Sequence, residues 1–268
     1  MLKNQKIIVV MPAYNAEKTL KKTIDEIPNN IVDKIIVVDD HSQDKTARIA
    51  RKLPVQYICH SQNQGYGANQ KTCYQTALKQ NADIIIMIHA DYQYSPLLTT
   101  AMAAMLISGH YDIILASRII GDQTLRIKQM PWWKYLFNRL LTLYSNIIFN
   151  YKISEYHTGF RAYTSDVLKK INFSANSDDF IFDNELLAQS IYHGFRIGEI
   201  SCPTSYHPDA SSINFRRSLK YGLGILRVGI QFKLHKLKLF NFPLFSNQPK
   251  RPTSSNQRKD TLQNKNNR

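Results

Sequence analysis

Four short clusters hold most of the side chains in this sequence that are equipped for chemistry. They are Met11-Pro12-Ala13-Tyr14-Asn15-Ala16-Glu17, Val38-Asp39-Asp40-His41-Ser42-Gln43-Asp44-Lys45-Thr46, Asn63-Gln64-Gly65-Tyr66-Gly67-Ala68-Asn69 and His89-Ala90-Asp91-Tyr92-Gln93. Asp39 is suited to accept hydrogen bonds from a base N–H or a ribose hydroxyl. Tyr14 offers a ring to stack on a base. Gly65 and Gly67 let a backbone approach a ligand closely and open a helix whose N-terminus favours anions. Together these residue types suit a nucleotide. Asp39-Asp40-His41-Ser42 alone is also an ordinary helix N-cap pattern, so the weight lies in the set.

The elements that must position these clusters are legible from periodicity. Residues 7–11, 35–39, 55–58, 84–89 and 112–117 are short β-branched apolar runs, as in strands buried on both faces of a parallel sheet. Helical stretches lie between them at 17–27, 45–52, 68–80 and 96–107. Strand–helix alternation of this kind calls for a doubly wound α/β layer, in which ligands bind outside the carboxyl ends of the strands. Each polar cluster follows a strand directly, so all four project onto one rim. The Gly-x-Gly of residues 65–67 lacks the third glycine of a dinucleotide fingerprint, and no Gly-x-x-x-x-Gly-Lys-Ser/Thr loop occurs. A dehydrogenase and an ordinary NTPase are both disfavoured. The second half reads as helices over 131–149 and 183–194, with a turn and helix over 161–171.

The formal charge of +15 is unevenly placed. Residues 214–268 carry 13 Lys and Arg against one acid, Asp260, which leaves only +3 for the other 213 residues. A nearly neutral body with a basic appendage is not a uniformly basic nucleic-acid binder. Three scattered cysteines, Cys59, Cys73 and Cys202, suggest neither a disulfide framework nor a zinc site, and a reducing compartment is expected. The apolar start of the chain is too short for a signal peptide. No run of about 18 apolar residues is present, so a membrane-spanning helix is not expected. From residue 246 onward the composition reads as a disordered tail.

The ordered set formed by the residue 10–15 motif, the residue 37–46 motif, His89-Ala90-Asp91-Tyr92-Gln93 and Ser117-Arg118 resembles that of inverting family-two glycosyltransferases. Their fold is called GT-A. His157-Thr158-Gly159-Phe160-Arg161-Ala162-Tyr163, Phe182-Asp183-Asn184-Glu185-Leu186-Leu187 and Ser211-Ser212-Ile213 are similar to the dolichyl-phosphate mannosyltransferase-like branch. The resemblance spans roughly residues 6–230. It implies a metal-dependent, inverting hexosyltransferase that takes its sugar from a UDP- or GDP-linked donor. Pro12, Tyr14, Asn15, Glu17, Asp39, Asp40, Ser42, Gly65, Gly67, Asn69, Ala90, Asp91 and Arg161 then belong to the donor site. Asp91 matches the second acid of the family's Asp-x-Asp, with Gln93 completing a site for Mg²⁺ or Mn²⁺. His89 stands where the first Asp is usual: a softer set that favours Mn²⁺ if the imidazole is a ligand, or a ring merely packed beneath the metal. Arg118, with Arg161, would balance charge on the departing diphosphate. Asp183, placed ahead of Glu185, falls where the family keeps its base, and either acid could instead favour the start of a helix.

Two segments suit a membrane surface. Residues 131–149 mix Trp and Tyr with Leu and Ile. Beyond residue 214, an apolar stripe of Leu219, Leu223, Leu226 and Ile230 runs beside Arg216, Arg217, Lys220 and Arg227. The organisation expected is a GT-A domain over 1–213, a basic amphipathic membrane-associating segment over 214–245, and a basic tail over 246–268. The activity expected is transfer to a polyprenyl phosphate at the cytoplasmic membrane face, by a protein that sits there peripherally on anionic lipid. Two alternatives stand beside it: transfer to a saccharide or glycolipid hydroxyl in cell-surface glycan synthesis, and a non-enzymatic binder of nucleic acid through the tail. Nucleic acid is not the expected partner.

Overall fold

The structure is a computed structural model that describes residues 4–121, 132–204 and 215–247. Its first half follows the alternation in the sequence: β1 (Ile7–Ala13), α1 (Leu20–Asp25), β2 (Lys34–Asp39), α2 (Thr46–Ala50), β3 (Gln56–Cys59), α3 (Tyr66–Lys79), β4 (Ile84–Met87), α4 (Thr99–Ile107) and β5 (Ile113–Ser117). The second half contributes α5 (Trp132–Phe149), β6 (Arg161–Thr164), α6 (Ser165–Lys170), α7 (Phe182–Tyr192), β7 (Ile197–Ser201) and α8 (Phe215–Lys236).

The seven strands form one sheet in the order β3-β2-β1-β4-β6-β5-β7. β1 pairs in parallel with β2 and β4, β2 with β3, and β5 with β7. β6 runs antiparallel to both β4 and β5. The sheet is therefore mixed. The sequence suggested a turn and helix over 161–171, but the first four residues of that span are a strand. A four-residue run that opens on an arginine gives no period-two signal, and the hydrogen-bonding edges of β4 and β5 determine its conformation instead.

Side chains of β1 divide by the two-residue period of a strand. Ile8 and Val10 join one core with Tyr74 of α3, Leu186 of α7 and Phe232 of α8. Ile7, Val9 and Met11 join the other with Leu20 and Ile24 of α1 and Met102 of α4. Both faces of the sheet are covered, which is why its strands are apolar throughout.

The basic segment beyond residue 214 is built into this body. Ile225, Val228 and Phe232 of α8 are buried. The Phe232 ring lies 4.9 Å from that of Phe149 and 5.7 Å from that of Phe245. The Tyr144 hydroxyl of α5 donates to the Leu226 carbonyl at 2.9 Å. The charge assigned by composition to an appendage therefore sits partly on a wall of the folded body. The remaining tail, 248–268, and residues 211–213 lie outside the described residues. Phe232→Ala should cost about 3–5 kcal/mol, as for other buried aromatics. Denaturant unfolding measures it, and a loss under about 1 kcal/mol would show that α8 is not part of the core.

Candidate active site

A cleft of about 1360 Å³ opens beyond the carboxyl ends of β1, β2 and β4, bounded on its far side by α8. Three residues at these strand ends take left-handed backbone angles: Asn15 (φ 49°), His41 (φ 64°) and Tyr92 (φ 56°). Such angles are uncommon outside glycine and occur where a chain must turn sharply at a site.

The first two clusters are stitched to each other. The Asn15 N–H donates to Ser42 Oγ at 2.8 Å, Ala16 N–H to Thr46 Oγ1 at 2.7 Å and Glu17 N–H to Asp44 Oδ2 at 3.0 Å. In the other direction Gln43 N–H donates to Asn15 Oδ1 and Lys45 N–H to Glu17 Oε2, each at 2.9 Å. The short polar side chains of both motifs thus substitute for a sheet ladder where the strands end. Glu17 and Ser42 are parts of this seam. Pro12, Tyr14 and Asn15 line the cleft, with Tyr14 53% exposed.

Asp39 and Asp40 are both buried and do different work. Asp39 accepts from Ser42 N–H at 3.0 Å and from the Tyr57 hydroxyl at 2.8 Å, and it does not line the cleft. Asp40 lines it, and fastens the next loop by accepting from Gln64 N–H and Gly65 N–H, each at 2.9 Å, and contacting His60 Nδ1 at 2.7 Å. Asn69 reaches back from α3 to the Val38 carbonyl at 3.0 Å and the Ala13 carbonyl at 3.4 Å. It clamps the ends of β1 and β2.

The two glycines admit protein, and Gly65 also lines the cleft. A Cβ on Gly65 would stand 2.6 Å from the Asp178 carbonyl oxygen, and one on Gly67 2.2 Å from that of Ser177. Gly67 N–H, in the first turn of α3, donates to the Asp178 carbonyl at 2.7 Å. Gly65 also has φ +99°, which favours glycine on its own. The loop over 176–181 therefore docks on the start of α3. Lys71 bonds Asp178 Oδ1 at 2.7 Å and Lys220 bonds Asp179 Oδ2 at 2.7 Å, so cations from α3 and α8 hold the loop from opposite sides.

Three charged residues lie away from where the resemblance placed their action. Arg161 is fully buried, donating to the carbonyls of Thr158 at 2.7 Å, Asp183 at 2.8 Å and Tyr156 at 3.0 Å. Arg118 pairs with the buried Glu155, with Nε to Oε1 at 2.9 Å. Burial opposes ionisation of Glu155, but Arg118 outweighs it and holds that carboxyl below the usual range. Neither guanidinium is among the residues that line the cleft; Arg161 is held by backbone carbonyls and Arg118 by Glu155. Asp183, the preferred base, is also off the wall: Oδ1 accepts from Gln70 at 3.0 Å and Oδ2 from the Tyr66 hydroxyl at 2.8 Å. Burial, followed by the neighbouring Asp183, keeps the Tyr66 phenol well above its ordinary pKa.

Glu185 is the acid of this pair that lines the cleft. It accepts from Ser177 N–H at 2.6 Å, and burial raises its pKa despite that bond and nearby Lys71 and Arg227. Arg217, Lys220 and Arg227 bring cations to the same cleft from α8; the Arg216 side chain lies outside those described.

His89, Ala90 and Asp91 line the cleft at the end of β4, whereas Gln93 is buried off the lining and gives its backbone N–H to Asp91 Oδ1 at 3.2 Å. Among the described residues no group of three or more His, Cys, Asp and Glu could enclose a cation. The Asp91 carboxylate still fits a divalent ion whose remaining ligands are substrate phosphates and water, as one or two carboxylates commonly do for Mg²⁺ in phosphate chemistry.

This sheet and rim define the GT-A fold of sugar-nucleotide transferases. The chain belongs to the family described as glycosyl transferase family 2, which it matches over residues 8–172, and it is a glycosyltransferase. It is 27% identical over 217 residues to the UDP-N-acetylglucosamine–dolichyl-phosphate N-acetylglucosaminyltransferase of Methanococcus voltae, covering 75% of this chain and 86% of that one. It is 26% identical over 204 residues to the polyprenol monophosphomannose synthase of Mycolicibacterium smegmatis, covering 73% and 76%. The glucosyl-3-phosphoglycerate synthase of Mycobacterium tuberculosis, solved with UDP, shares the fold at a TM-score of 0.67 and 16% identity, over 85% of this chain and 80% of that one. The Methanococcus and Mycolicibacterium relatives support the polyprenyl-phosphate branch of the family.

Sequence reasoning passed over Tyr66, Gln70, His60, Glu155 and Tyr221. Tyr66 sat in plain view between two glycines; Glu155 and Tyr221 carried no signal, because their partners are distant in sequence. Tyr221 lines the cleft from α8 and its hydroxyl lies 2.9 Å from His157 Nδ1. Among the described residues His157 Nε2 is buried without a hydrogen-bond partner, and burial lowers this histidine's pKa to about 4. A depressed pKa means the unfolded chain binds the proton more tightly. Stability from the neutral ring is complete above pH 6.5 and declines as pH falls toward 4. His157→Gln should flatten that decline in denaturant unfolding at pH 7, 6 and 5; an unchanged slope would contradict the assignment.

Proposed function

We propose that this glycosyltransferase moves a hexose from a UDP- or GDP-linked donor to a polyprenyl phosphate, with inversion, while lying on the inner face of an anionic membrane. The observation that carries this reading is the composition of the cleft's two sides. One is the strand-end rim with Tyr14, Asp40 and Asp91. The other is α8, which presents Arg217, Lys220 and Arg227 near the apolar Leu223, Phe242 and Leu244. A nucleoside against the rim and a lipid phosphate against α8 would meet between them, with the phosphate matched by cations and the isoprenoid by apolar side chains.

In the transfer, an acceptor oxygen attacks the anomeric carbon from the face opposite the leaving group. A new C–O bond forms as the bond to the diphosphate breaks, and the nucleoside diphosphate leaves with the electron pair. Asp91, with the donor phosphates, would hold a divalent ion, which would supply charge neutralisation on that leaving group. The M. tuberculosis synthase, solved with Mn²⁺ and UDP-glucose, lends support to such an ion. A phosphate acceptor is already ionised and gives up no proton. A saccharide hydroxyl must lose one, and the raised pKa of Glu185 favours keeping that second reading, with Glu185 as base.

The membrane part rests on a second feature. Leu136, Leu140, Leu143 and Ile147 on α5 are 48–65% exposed, and Leu219, Leu223 and Ile230 on α8 are 56–59% exposed. The two helices pack together through Tyr144, so these side chains flank one seam. An exposed apolar surface of this extent marks an interaction site. No helix among the described residues is long and apolar enough to cross a membrane.

Following label from UDP- and GDP-sugars with Mn²⁺ or Mg²⁺, with and without undecaprenyl phosphate, tests the reaction. Transfer is expected only with the lipid phosphate, and Asp91→Ala should remove it by at least about a hundredfold. Glu185→Gln should then matter little. Transfer to a saccharide hydroxyl alone, abolished by Glu185→Gln, would overturn the lipid reading in favour of the second. Replacing Leu140, Leu143, Leu223 and Ile230 together by Ser should weaken binding to anionic vesicles at least tenfold with the circular dichroism spectrum kept; unchanged vesicle binding would contradict the surface assignment.

A further inference from the structure

We infer that Asp179 is an internal competitor for the acceptor phosphate: its carboxylate holds Lys220 in the empty cleft, yields it to the incoming phosphate, and reclaims it once transfer is complete. The inference rests on the acceptor side of the cleft proposed above and deepens it.

The argument begins with how the carboxylate is held. Asp179 lies in the loop that leads into α7. Its carbonyl accepts from Phe182 N–H at 3.1 Å, its own N–H donates to Ser177 Oγ at 3.1 Å, and its Oδ1 accepts from Phe180 N–H at 2.8 Å. Its neighbours fix the loop to α3: Lys71 bonds the Asp178 carboxylate at 2.7 Å, and the Phe180 ring stacks on Tyr66 at 5.1 Å. None of these contacts uses Asp179 Oδ2. That oxygen reaches across to α8, where it accepts from Lys220 Nζ at 2.7 Å.

The surroundings of the pair give it a use. Asp179, Arg217 and Lys220 all line the cleft. Burial opposes ionisation of Asp179, but Lys220, the Phe180 N–H and Arg217 outweigh it and hold the carboxyl below the usual range. The carboxylate thus stands among the cations to which the acceptor anion is assigned. Glu185, the other acid lining this side, is turned to Ser177 N–H instead. As a mere tie between loop and helix the bridge would do little. Its two side chains are 77% and 45% exposed, and pairs so open to water contribute little to stability. Ile225, Val228 and Phe232 already fix α8 in the core.

A weak bridge is one that can exchange. A phosphate monoester carries a charge of about −1.5 to −2 at neutral pH and outmatches a carboxylate for a lysine. Transfer joins one of its oxygens to the anomeric carbon and leaves a phosphodiester with a single charge. The hold on Lys220 weakens at that moment, and Asp179 takes the ammonium back. The carboxylate therefore raises the KM for the acceptor and speeds departure of the product.

Kinetics of the full chain with undecaprenyl phosphate test this through Asp179→Asn, which keeps an oxygen for Phe180 N–H. The acceptor KM should fall about fivefold, as when one exposed pair no longer competes. Inhibition by the purified lipid product should strengthen to a similar degree, with the KM for the sugar nucleotide unchanged. Loss of a merely structural contact would not tighten both lipids. An unchanged or raised acceptor KM, or unchanged product inhibition, in a variant with the wild-type circular dichroism spectrum would overturn the inference. A crystal structure of the unaltered chain with a short-chain polyprenyl phosphate gives a reading that needs no variant. Asp179 Oδ2 should lie more than about 4 Å from Lys220 Nζ, beyond ion-pair reach, with phosphate in its place. A bridge still closed beside a phosphate on Arg217 and Arg227 would overturn the inference alone. A phosphate bound away from α8 would overturn the acceptor reading with it.

Discussion

Burying the guanidinium of Arg161 sets terms that the rest of the site has to meet. A charge taken fully out of water must be given acceptors in good geometry, or the fold loses several kcal/mol. Here the acceptors are the carbonyls of Tyr156, Thr158 and Asp183, so the loop before β6 and the start of α7 are both wrapped around one side chain. That places Asp183 where Gln70 and Tyr66 of α3 reach it, and Tyr66 where it meets His89 at the end of β4. A strand inserted antiparallel into the sheet thus connects the nucleotide-type first half to the second half through one chain of polar contacts.

The first half was legible because its signals are local. β-branched runs with helical stretches between them give the order of β1 to β5, and the polar residues after each strand fall on the expected rim. What those residues do was only partly readable. Ser42, Asp44 and Glu17 proved to stitch two loops together, and Gly65 and Gly67 make room for the 177–178 backbone. A pattern of residue types shows where a site is, but not which member faces the ligand and which supports its neighbour.

The second half was less legible because its partners are far apart in sequence. β6 has four residues and no alternation, and it exists because β4 and β5 offer it edges. Arg118 reads as a free cation until Glu155, 37 residues away, neutralises it. Charge counting set residues 214–245 apart as an appendage, yet Val228 and Phe232 are core residues and Arg217, Lys220 and Arg227 face the cleft. The segment combines three demands in one helix: a buried face, a basic face toward the cleft and an apolar face toward the outside. Composition averages over all three.

The central claim is that donor and acceptor occupy opposite sides of a single cleft, with the rim around Asp91 taking the nucleoside diphosphate and α8 taking the acceptor anion. A crystal structure of the chain with Mn²⁺ and the nucleoside diphosphate it binds tests this most directly. The account predicts the base against Tyr14 and Asp40 and the diphosphate at Asp91, with Arg217 and Arg227 free of it. A diphosphate seated on Arg217, Lys220 and Arg227, with Asp91 making no contact to metal or phosphate, would contradict it.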